Sequence, residues 1–145
     1  MREIKFRGKS KFKDVWHYGS LINNAFFLRS DDSAIPYILD TDDIDYDNFV
    51  DIAEQLDDFE VIPESVGQSP SLKDKNRKVI YENDIADFGD VQGVIKKGAW
   101  YWFVEIIGYD EIIHFDDIAD ENDMTIEGEV IGNTIDNPEL LEVYE

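Results

Sequence analysis

Cysteine is missing from this chain altogether. That excludes disulfides, thiolate-held metals and a cysteine nucleophile. Long apolar runs are missing too. No stretch reaches the roughly 18 apolar residues of a membrane span, and the opening "MREIKFRGKSKFK" has no apolar core of signal-peptide length. There is no Gly-rich phosphate loop, no nucleophile elbow and no His-Glu metal motif. Positive charge is scarce in long tracts: residues 31–64 and 98–145 contain neither Lys nor Arg. These absences predict a soluble cytoplasmic protein with no membrane association and no cofactor.

What is present is one domain's worth of globular sequence. The chain has 145 residues, 43% of them apolar, enough to bury a single core. The formal charge is −21 and the pI about 4.1. The basic residues gather at Arg2, Lys5, Arg7, Lys9, Lys11 and Lys13, at Lys73, Lys75, Arg77 and Lys78, and at Lys96 and Lys97, with Arg29 alone. So acidic a surface repels nucleic acid and anionic lipid and favours basic partners. Its plain role is solubility.

Periodicity predicts a mainly β fold, a small barrel-like or sandwich domain. At the start Ile4, Phe6, Gly8 and Phe12 alternate with basic residues, a strand with one basic and one partly apolar face. "VWHYGSLI", "AFFLRS" and "YIL" follow as strands, with "NNA" as a hairpin turn. Phe49, Ala53 and Leu56 fall at helical spacing, so one middle helix is expected over residues 45–58. The second half offers "KVIYENDIADF", "VQGVIKKG", "WYWFVEII", "EIIHF" and "MTIEGEVIG", short strands separated by Gly, Asn and Asp. "NPELLEVYE" reads as a short C-terminal helix with Asn137 as N-cap and Pro138 at its first position. The whole is expected to be one domain, with an acidic helical insertion at residues 40–60 between two β-rich parts. Trp100, Trp102, Val104 and Ile106 share one strand face, and Tyr101, Phe103 and Ile107 the other. A strand apolar on both faces needs cover on both, from the N-terminal part, the helix or a second subunit.

Three segments, "MREIKFRGKSKFKDVWHYGSLI", "ESVGQSPSLKDKNRKVIYENDI" and "EVIGNTIDNPELL", in this order resemble the YopX-like proteins of phages and prophages of Gram-positive bacteria. They bracket the chain, so the resemblance is effectively full length. Two departures bear on backbone. Arg77 follows the Asn of the "DKN" turn, and Asn83 stands inside "YENDI", where YopX-like sequences usually carry Gly. Gly is favoured where φ is positive; Asn tolerates such a point and Arg does so at a cost. The resemblance implies a mainly β fold, a phage or prophage origin and the cytoplasm of a bacterial host. It implies no activity, cofactor or catalytic residue.

One string imitates chemistry. In "DIDYDNFVDIAE" the residues Asp43, Asp45, Asp47, Asp51 and Glu54 stand at the ligand positions of a calcium loop, with Asn48 where Gly is expected. The context argues against it, since such a loop joins two helices and "SAIPYILDTD" upstream has no helical period. Asp42, Asp43, Asp45 and Asp47 have a plainer role at a helix start, capping N–H groups and meeting the helix dipole. His17 and His114 each lie in an expected strand, as half-buried strand residues rather than ligands or bases. Carboxylates are too numerous for any acid/base pair to stand out, and an enzyme is the minority reading.

The expected function is a non-enzymatic, acidic protein-interaction module. Its partner would be a host or phage protein, or a second copy in a homo-oligomer. Asp42, Asp43, Asp45, Asp47, Trp100 and Trp102 are the candidate interaction surface. Two alternatives remain. One is a nucleic-acid-binding small barrel using the basic N-terminal strand. The other is a decoy whose carboxylates at 40–60 and 110–129 imitate a phosphate backbone.

Overall fold

The computed structural model describes residues 5–24, 35–40, 55 and 58–142. The chain is mainly β, in three sheets, and divides into two compact units, Ile4–Gln68 and Ser69–Glu145.

In the first unit β1 (Phe6–Lys9), β2 (Trp16–Asn24), β3 (Ile35–Leu39) and β4 (Gly67–Gln68) form a sheet of order β3-β2-β1-β4. β1 and β2 are antiparallel with Phe6 opposite Gly19, and β2 and β3 are antiparallel with Ser20 opposite Leu39. All five residues of β3, "IPYIL", are buried. The short apolar run thus becomes a strand covered on both faces. Ile38 and Val61 are fully buried, and Gly8 lies against them. A Cβ on Gly8 would approach Val61 Cβ to 2.8 Å and Ile38 Cδ1 to 2.9 Å, so only Gly fits on the apolar side of β1.

Two serines tie the unit's loops. Ser65 Oγ accepts from the Lys9 N–H at 2.7 Å and donates to the Ile62 carbonyl at 2.6 Å. Ser10 Oγ accepts from the N–H groups of Phe12 and Lys13.

In the second unit β5 (Asp84–Asp87), β6 (Gln92–Lys97), β7 (Trp102–Ile106), β8 (Ile112–His114) and β11 (Glu129–Asn133) form an antiparallel sheet of order β11-β5-β6-β7-β8. β9 (Ala119–Asp120) and β10 (Thr125–Ile126) pair separately. The core gathers Ile80, Ala86, Ile95, Val104, Phe115, Ile118 and Ile126. Each aliphatic side chain fully buried there contributes about 1.5–3 kcal/mol.

The "KDKNRKVIYENDI" stretch explains itself here. Asp74 is buried, and its carboxylate accepts from the backbone N–H of Asn76, Lys78 and Val130 at 2.8–3.0 Å. One side chain therefore closes the turn and anchors it to β11. Asp84, also buried, accepts from the Tyr81 N–H at 2.8 Å. Arg77 and Asn83 both have positive φ, 67° and 72°.

Two expectations are corrected. Neither larger sheet is a closed barrel: the five-stranded one ends on β8 and β11, and the four-stranded one on β3 and β4. Closure needs a continuous ladder between edge strands. β8 has only three residues, and register shifts between Val130 and Gly132 in β11. In the first unit the Ser10–Val61 and Tyr37–Glu60 bridges are isolated pairs, not a ladder.

The C-terminal helix is a single 3-10 turn, Pro138–Leu141. Asn137 does not cap it, because its Oδ1 accepts instead from the Asn133 N–H at 3.2 Å, closing the preceding turn. The middle helix expected over 45–58 and the calcium-like string at 43–54 fall almost wholly outside the described residues, as does "AFFLRS". Among the described residues, no helix is long and apolar enough to cross a membrane.

Candidate functional site

The β6–β7 hairpin builds the site. Lys97 pairs with Trp102, and the Gly98 N–H donates to the Tyr101 carbonyl at 2.8 Å, which turns the chain within four residues. Trp100 sits at the tip of this turn. Its side chain is 93% exposed, although the sequence places it on one face with Trp102, Val104 and Ile106. The alternation holds for the latter three. Val104 and Ile106 are buried, and Trp102 packs half-buried against the core. The strand begins only at Trp102, so the face-sharing pattern does not extend back to Trp100.

Around Trp100 and Trp102 lies an open groove of about 440 Å³. Leu72, Trp102, Phe115 and Ala119, all part of the core or packed on it, line its apolar side. Trp102 and Phe115 have ring centroids 6.1 Å apart. Tyr101 and His114 make an adjoining wall, with centroids 4.6 Å apart, and Tyr101 lies 5.7 Å from Phe103. Pro70 and Met124 complete the apolar lining, and Asp116 and Glu121, both exposed, supply its carboxylates. Among the described residues, no Lys or Arg lines it. The volume falls within the 300–1,000 Å³ typical of ligand clefts. An aromatic, carboxylate-rimmed groove suits flat or cationic groups.

The remaining sequence candidates are distributed as follows. Asp42, Asp43, Asp45 and Asp47 lie outside the described residues. His17 is half-buried on β2, its ring 5.2 Å from that of Phe59. His114 is exposed rather than half-buried, because β8 is an edge strand. The two histidines belong to different units. Among the described residues, no group of three or more His, Asp or Glu is placed to hold a metal ion.

The expected basic face of the first strand is largely occupied. Arg7 is only 5% exposed, with its guanidinium 4.7 Å from the Trp16 ring centroid. Lys9 Nζ pairs with Asp14 at 2.9 Å, and Lys11 Nζ with the buried carboxylate of Glu60 at 2.8 Å. Lys75 and Arg77 line a second groove together with Asp117, Asp120, Asp123 and Glu127.

Sequence reasoning missed Tyr101, His114 and Phe115 as site residues, and met Asp116 and Glu121 only within the 110–129 carboxylates of the decoy alternative. Strand alternation was the available signal for Tyr101, which lies opposite Trp102 along the chain. Nothing local indicated that residues 114–121 fold back beside the hairpin tip.

A family model, YopX protein, matches residues 5–142. The chain belongs to the YopX family. No curated protein matches the sequence. The match spans both units of this YopX-family chain and includes the whole groove.

Proposed function

We propose that this YopX-family chain is a non-enzymatic protein-interaction module of a phage or prophage, acting in the cytoplasm of its bacterial host. The groove beside Trp100 is where its partner docks. The observation that carries this reading is Trp100 itself, a large aromatic side chain held at a hairpin tip with 93% of its surface in water. Among the described residues it stacks on no other ring. Tryptophan is the residue type most enriched at binding hot spots. Exposed apolar groups clustered with a groove mark interaction sites, whereas scattered ones do not.

The nucleic-acid alternative loses support from Arg7, Lys9 and Lys11, whose charges are already buried or paired within the chain.

The test is a quantitative capture from lysate of a Gram-positive host with the tagged wild-type chain and with Trp100→Ala. A partner held near one-to-one by wild type and lost with Trp100→Ala is the expected result. A partner retained in full by the variant sinks the proposal. Trp100→Ala should fold normally, because the side chain is 93% exposed; its melting temperature provides the control.

A further inference from the structure

Building on the groove as a docking site, we infer that its occupant is an extended, arginine-bearing segment of a partner protein. Three observations carry the inference. The groove has two faces that suit one guanidinium. Trp100 and Tyr101 present open aromatic surface, 93% and 47% exposed, and Asp116 and Glu121 stand in the same lining, which holds no Lys or Arg among the described residues. A planar guanidinium stacks on an aromatic ring while its N–H fork donates to carboxylates. Arg7 already shows the first half of this chemistry in the chain's own fold, over the ring of Trp16 at 4.7 Å.

The surrounding charge is mostly acidic, with exposed Lys73 and Lys97 as its nearest basic neighbours. Asp110, Glu111, Asp116, Asp117, Asp120 and Glu121 are all exposed. These six carboxylates outnumber Lys73 and Lys97, so the net field attracts a cationic segment and repels nucleic acid and anionic lipid. A second copy carrying the same acidic surface is repelled likewise. The groove is also partly open and reaches the edge of a sheet, since His114 belongs to the edge strand β8. A chain segment can lie along such a groove without a cavity having to open.

The experiment uses the full chain and three short synthetic peptides of matched length, rich in Arg, Lys or Glu on a Gly/Ser background. Binding is followed by tryptophan fluorescence and by calorimetry at low and physiological salt. The Arg peptide should bind, the Lys peptide more weakly and the Glu peptide not at all. Trp100→Ala should weaken Arg-peptide binding more than about tenfold. Asp116→Asn with Glu121→Gln should weaken it by about three- to fivefold, as expected for exposed ion pairs. The conservative carboxamides keep shape, so a folding defect is not the cause.

Equal binding of Arg and Glu peptides, or Arg binding unaffected by both variants, overturns the inference. So does binding of a soluble glycan or an oligonucleotide in place of the Arg peptide. If no peptide binds while lysate capture still depends on Trp100, the docking site stands and the arginine-bearing occupant is wrong. If neither occurs, both fail.

Discussion

Arg77 occupies a backbone conformation that Arg seldom adopts, φ 67°, at the turn closed by Asp74. The Arg77 N–H donates to the Asp74 carbonyl at 2.9 Å, and the Asp74 carboxylate binds Asn76 and Lys78, so the turn cannot relax without losing three hydrogen bonds. The left-handed conformation costs a non-Gly residue about 1–2 kcal/mol. Gly removes that strain but adds about 0.4–1 kcal/mol of unfolded-state freedom. Arg77→Gly should therefore stabilise the protein by about 0.5–1 kcal/mol, read as a higher denaturant midpoint at unchanged slope. A lower midpoint would show that the Arg77 side chain contributes more than its backbone costs. Asn83, at φ 72°, should gain less from the same change, because Asn tolerates this region and its Oδ1 accepts from Lys96 Nζ at 3.3 Å. Here the sequence was readable. Both places where Gly was expected have positive φ, and the residues that hold them, Asp74 and Asp84, stand in the same quoted segment; Ser71 and Met124 share that conformation with no such signal in the sequence.

At the scale of elements, strands were legible and their ends were not. β5, β6, β7 and β8 fall within the predicted runs and β11 overruns its own by one residue, Asn133, because alternation reports which face is buried. Alternation does not report where pairing stops. Trp100 and Trp102 have the same parity in sequence, yet one packs on the core and the other stands in water, since Gly98 turns the chain between them and Lys97. The C-terminal helix failed for a related reason. "NP" does begin a helical turn, but Asn137 hydrogen-bonds back to Asn133, and the element stops after one 3-10 turn. Closeness between strands is also set by glycine. A Cβ on Gly93 would collide with the Val104 side chain and meet the Glu105 carbonyl oxygen at 3.0 Å, so β6 and β7 approach only because that side chain is absent. Gly93→Ala should cost about 1–3 kcal/mol by overpacking. It should also weaken any ligand in the Trp100 groove, since the hairpin that carries Trp100 shifts. A thermal melt of Gly93→Ala matching wild type would show that the two strands can separate freely.

For the whole molecule the governing quantity is a formal charge of −21. Salt should act on it in two opposite directions. Mutual repulsion among carboxylates opposes compaction, and the screening length falls from about 30 Å at about 0.01 M salt to about 8 Å at about 0.15 M. Pairs in contact, such as Lys9 with Asp14 and Lys11 with Glu60, are too short to lose much over that range, and the second is shielded further because Glu60 is buried. The repulsion is spread over longer distances and loses most. The melting temperature should therefore rise between these two salt concentrations. Binding of an arginine peptide should weaken over the same range, because attraction between peptide and groove is long-ranged in the same way. Both measurements use one protein sample and one salt series. A melting temperature that falls as salt rises would mean that local ion pairs outweigh the global repulsion, with the acidic surface compensated from within. Peptide affinity indifferent to salt would mean that stacking on Trp100, not charge, holds the ligand.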